Sequence, residues 1–137
     1  MKSLANVWQG IYLLLIINLF LSGAHAYYYW PNLDLFMHTA GGFLLAAWGW
    51  QACGLRNYPW QIASLTMIGI SLSVGWAYEV LEFMGDAFYG AGSKSLVPLQ
   101  VGLGDTLLDF ACDLLGAVVA FIFYSTRIAS PYESPLK

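Results

Sequence analysis

The chain has 137 residues, of which 59% are hydrophobic and only 9% charged, with a net charge of −3. An ordinary soluble domain, about a quarter of whose residues are charged, is excluded by that balance, and an integral membrane protein is indicated. With five Lys and Arg against eight Asp and Glu, no nucleic-acid partner is expected.

Four apolar windows, 4–22, 35–53, 62–83 and 107–124, each approach the ~20 residues that cross a ~30 Å hydrocarbon core at about 1.5 Å per residue. They and their links use up residues 1–137, which predicts one all-α polytopic membrane domain of four transmembrane helices. The first window carries a polar stripe, Asn18, Ser22 and His25, spaced four and three apart. Lys2, the apolar run 11–21 and Ala24-His25-Ala26 also fit a cleavable signal peptide over residues 1–26, whose removal would leave the other three helices in the same orientation.

The links "YYYWPN" and "GLRNYP" are short, so consecutive helices must run antiparallel, and Pro31 and Pro59 precede helix starts. The second window opens with Asp34 and His38 one turn apart, followed by Gly41 and Gly42. The third ends with Glu79 and Glu82 after Gly75. Residues 84–104 contain five glycines and Pro98 yet are apolar, which predicts an outer lid or re-entrant loop. The fourth window brings Asp105, Asp109 and Asp113, each i to i+4, onto one face continued by Gly116, Ala117 and Ala120. Residues 125–137 read as a cytoplasmic tail, disordered from Ser130 onward.

Orientation follows from the basic residues. An N-in, C-in chain puts Lys2, Arg56, Arg127 and Lys137 inside and only Lys94 outside; the reverse would put four outside. Tyr27 to Trp30 then form an outer aromatic belt, with Tyr58 and Trp60 at the inner interface. Cys53 and Cys112 fall at different depths, so they are expected to be free packing residues.

In this orientation three helices bring their acids to one outer level. Asp109 lies about 6 Å and Asp113 about 12 Å below Asp105. An acid at the centre of a membrane helix costs roughly 2.5 to 3.5 kcal/mol on insertion scales, and no Lys or Arg occupies the outer halves of these helices. The acids therefore call for a bound cation, shared protons, or a cationic ligand or partner subunit. Individually they have ordinary readings: Asp34 and Asp105 as first-turn acids, Glu82 and Asp86 as interfacial charges, and His38 as an interhelical hydrogen-bonding group. Glu79, Asp109 and Asp113 have no such capping role.

"DLFMHTAGGFLL", "YEVLEFMGDAF" and "GDTLLDFACDLLGA" resemble the VanZ-like superfamily of small integral membrane proteins and its YjdF-like branch. The resemblance covers three of the four windows and carries Asp34, His38, Glu79, Glu82, Asp105, Asp109, Asp113 and Gly116 as shared anchors. Asp113 stands where VanZ proteins have Asn, which brings the chain closer to the YjdF-like branch. Fold and site are what the resemblance implies, rather than a reaction.

Two functional expectations follow. In the first, His38, Glu79 and Asp109 hold a divalent cation, with Glu82, Asp105 and Asp113 completing the site and Asp34 orienting it. Oxygen-rich ligation with one imidazole favours Mg²⁺, Mn²⁺ or Fe²⁺, acting on lipid-linked or envelope material at the outer face of a bacterial inner membrane. In the second, the acidic cluster of a non-enzymatic accessory subunit docks a partner helix in a larger membrane complex. A proton or cation conductor is disfavoured because 114–123 contains no titratable group below Asp113.

Overall fold

The computed structural model describes residues 2–24, 26–30, 32–89 and 102–126, and among these there are five α-helices, one 3₁₀ turn and no strand. The helices are α1 (Lys2–Gly23), α2 (Ala26–Tyr29), α3 (Asn32–Ala52), α4 (Trp60–Tyr89) and α5 (Leu103–Thr126). Three of them are long and apolar enough to cross a membrane, over Leu4–Gly23, Trp60–Phe88 and Leu103–Thr126. The second expected span, α3, is not among these three, because Asp34, His38, Gln51 and its tryptophans lower its hydropathy.

The helices overrun the expected windows. Residues 84–89, expected in the loop, continue α4, since a single glycine at 85 costs only about 1 kcal/mol in a helix already running from Trp60. At the loop's other end residues 103–104 open α5, and 125–126, expected in the tail, close it; residues 90–101, with Lys94, lie outside the described residues, as do His25, Arg127 and the tail from residue 127. Asp34 and Asp105 fall in the first turns of α3 and α5, where the helix dipole favours a carboxylate. After α3 the chain turns through Gly54 at φ 61, a left-handed conformation suited to glycine, and Leu55 tucks back into the core.

The axis of the bundle is α3, which packs on α1, α4 and α5, most extensively on α5. The reason is steric. A Cβ on Gly42 would stand 2.3 Å from the Asp113 carbonyl oxygen, and one on Gly116 would stand 2.2 Å from that of Thr39. Opposed glycines thus let the two backbones touch, the usual means of helix association where the solvent is lipid and the hydrophobic effect is absent. Gly49 similarly admits Ile70 of α4.

Below this crossing Ala46, Trp50, Leu55, Ala63, Met67, Ala117 and Ala120 form a buried apolar cluster. The Trp50 ring lies 5.7 Å from that of Tyr124, whose hydroxyl accepts from Gln51 Nε2 at 3.0 Å. Towards the other end the buried residues become polar: Ser71, His38, Glu79, Asp109 and Asp113. The exposed side chains are mainly large and apolar, including Leu19, Phe20, Leu65, Leu81 and Ile122, as a lipid-facing surface requires. Cys53 and Cys112 are both free; Cys53 is exposed and packs into no core.

Candidate functional site

Each polar side chain reaches the bundle interior because helical spacing and glycine crossings aim it there. His38 lies one turn inside Asp34 on α3 and is buried. Its Nε2 stands 4.0 Å from Asp34 Oδ1, 3.8 Å from Glu79 Oε1 and 4.0 Å from Asp109 Oδ1, so acids from α3, α4 and α5 surround one nitrogen. On the other side of the ring, Nδ1 faces Asp113 Oδ1 at 3.5 Å. A carboxylate beside Nδ1 favours a proton there, which holds the ring with Nε2 turned towards the other acids.

The separations around Nε2 exceed the ~2.7–3.2 Å of a hydrogen bond. His38 Nε2, Asp109 Oδ1 and Asp113 Oδ2 are buried without a hydrogen-bond partner among the described residues. Ligand atoms of Asp34, His38 and Asp109 all lie within 4.8 Å of one another, a grouping that could hold a metal ion. Asp34 is the outermost of the cluster, with its side chain 28% exposed.

Of the seven acidic and histidine residues singled out in the sequence, five meet around the imidazole: Asp34, His38, Glu79, Asp109 and Asp113. Glu82 and Asp105 are half-buried and fall outside the group whose ligand atoms face one another. Asp34, expected to orient the site, is in that group, and Asp113 sits on the far side of the ring as an orienting group.

Features the sequence did not disclose complete the surroundings. A Cβ on Gly75 would stand 1.9 Å from Asp113 Oδ2, so the missing side chain of α4 is the space that the carboxylate occupies. Ser71, one turn further in, is fully buried and donates through Oγ to the Asp113 carbonyl at 3.2 Å. Tyr78 packs edge-on against the His38 ring, with centroids 5.8 Å apart. Asn18 of α1 donates to the Tyr78 hydroxyl and accepts from that of Tyr27, which ties α1 to α4. Burial, then the nearby Asp34 carboxylate, push the Tyr27 phenol above its ordinary range, so it remains a donor. Only the periodic stripe through Asn18 pointed to this tie.

The model of a family described as predicted membrane proteins, DUF2238, matches residues 3–130. The chain belongs to that family. It is the family to which YjdF-like proteins belong, so that part of the expected resemblance holds. No curated protein and no solved structure matches the DUF2238 chain.

Proposed function

We propose that this DUF2238 protein is a four-span protein of the bacterial inner membrane, N-in and C-in, that holds a divalent cation at its outer level and presents it to lipid-linked or envelope material. The wider VanZ-like relation belongs to the same reading. The observation that carries it is the buried His38 Nε2, which has no hydrogen-bond partner among the described residues and has three carboxylate oxygens at 3.8–4.0 Å. Carboxylates that converge in a low-dielectric interior repel one another unless positive charge lies between them.

Asp34, His38 and Asp109 would hold the cation, with Glu79 beside them and Asp113 orienting the imidazole from behind, the carboxylate–histidine arrangement common at metal sites. Such a donor set suits Mg²⁺, Mn²⁺ or Fe²⁺, and the cation would supply Lewis acidity towards a phosphoryl or carbonyl oxygen. Counting α3 as the fourth span is supported by its 21 residues, about 31 Å of helix, and by its polar side chains facing other helices, so that its low hydropathy reflects a protein environment.

The test is elemental analysis and Mn²⁺ titration of the purified protein in detergent, beside a list of what co-purifies. About one ion per chain, lost in His38→Gln, is the expected result. A metal-free protein that ignores millimolar Mn²⁺ overturns the reading, and if it also retains a stoichiometric membrane partner, the accessory-subunit reading takes its place.

A further inference from the structure

A cavity of about 190 Å³ runs between α1, α3 and α4, with Ile11, Leu14, Met37, Gly41, Leu45 and Val74 in its lining. Along α3 it extends from Asp34 to Leu45, a rise of about 16 Å, half the ~30 Å hydrocarbon thickness of a bilayer. Its polarity is graded along that length. Asn18, Asp34, His38 and Tyr78 lie at one end, and Ile11, Leu44 and Leu45 at the other. That is the profile of a single lipid leaflet, polar at the headgroup and apolar towards the midplane.

The cleft is open sideways. Leu15 on α1 and Val74 on α4, which form its lips, are 47% and 44% exposed, whereas Met37 on the floor is 8% exposed. The Asn18–Tyr78 hydrogen bond spans the lips at the polar end. Two of the buried atoms without a hydrogen-bond partner among the described residues, His38 Nε2 and Asp113 Oδ2, belong to residues that line this cleft. The cleft and the carboxylate cluster therefore share a wall.

We propose that this cleft takes up one acyl chain of an outer-leaflet phospholipid from the side, bringing the polar end of that lipid to the Asp34–His38 wall. An engineered cavity of about 150 Å³ lined by apolar side chains holds benzene, so the volume here suits a stretch of one hydrocarbon chain and not a whole lipid. The second chain and the headgroup stay in the bilayer. As a binding groove the cleft stands on its own geometry; its place in the outer leaflet, and its use as the route by which a substrate reaches a cation, rest on the function proposed above.

The experiment places the full chain in phosphatidylethanolamine–phosphatidylglycerol vesicles that contain a phosphatidylethanolamine with a diazirine midway along one acyl chain, then irradiates and maps adducts by mass spectrometry. Adducts should concentrate on Leu14, Leu44 and Leu45 relative to the freely exposed Leu19 and Phe20. They should be lost from the cleft, and kept on Leu19 and Phe20, in Val74→Phe. Gly41→Leu, which fills the floor from another helix, provides the same reading if the first variant fails to fold. Cleft adducts no more abundant than those on Leu19 and Phe20, their persistence in a folded filled variant, or their displacement by a long-chain isoprenyl alcohol but not by excess unlabelled phospholipid would overturn the proposal. Metal analysis of the same preparation separates the two claims. Cleft adducts on a protein that binds no Mn²⁺ remove the cation site alone, and Mn²⁺ binding without cleft adducts removes the groove alone.

Discussion

At the scale of single residues, the site is ordered by burial. Asp109 is 1% exposed and faces His38 Nε2, whereas Asp105, in the first turn of α5, is half-buried and outside the facing group. Asp109→Asn keeps the size and polarity and removes the charge, so it should abolish Mn²⁺ binding while expression and membrane insertion persist or improve, since a neutral amide costs less in lipid than an anion. Asp105→Asn should leave binding within a few-fold of wild type, as read by the same titration. Asp113→Asn should weaken binding by about 10- to 100-fold without abolishing it, the usual penalty for losing the group that orients a ligating imidazole. Equal losses in all three variants would indicate that charge alone, and not the geometry around Nε2, decides binding. The residues that reach this ring were legible as a set because helical spacing fixes which acids share a face. Their division into facing and orienting groups was not, since it depends on which edge of the imidazole each one meets.

At the scale of the element, the decisive contact is the α3–α5 crossing. Gly42→Ala and Gly116→Ala each drive a methyl into a carbonyl oxygen at 2.3 and 2.2 Å, where backbone and not a flexible side chain must give way. Each should destabilise the protein by about 1–3 kcal/mol, measured as a lower thermal midpoint in detergent. Gly69→Ala, on the exposed side of α4 with nothing within 4 Å, is the control and should be neutral or stabilising by up to about 1 kcal/mol, because alanine loses less backbone entropy in a helix. Gly75→Ala should act differently from both. Its methyl would displace the Asp113 carboxylate, so the expected change is weaker Mn²⁺ binding out of proportion to any drop in melting temperature. The small residues were visible as a stripe in the sequence, but a stripe does not say which partner it meets. Gly41, beside Gly42, would place a Cβ only in ordinary contact with Leu14 at 3.7 Å.

At the scale of the whole molecule, the bundle divides into an apolar half around Met67 and Trp50 and a polar half around His38, and the sidedness of the membrane decides which compartment the site serves. With Cys53 and Cys112 replaced, single cysteines at the exposed positions Tyr28 and Arg56 should react with an impermeant maleimide from outside and inside, respectively. Labelling of position 56 from outside would turn the site towards the cytoplasm. The sequence by itself determined the membrane class, the helical content and the level at which the acids gather, because hydropathy, helical periodicity and charge are local properties of a chain that must satisfy its backbone within lipid. Two other features were decided only by the tertiary structure. One is α3's place at the centre, where neighbouring helices take the contacts that lipid would otherwise have and a helix of low hydropathy is tolerated. The other is the convergence of carboxylates from three helices on a single nitrogen, together with the cleft that shares its wall. These depend on the distances at which helices cross, and those distances were set by facing glycines more than seventy residues apart in the chain.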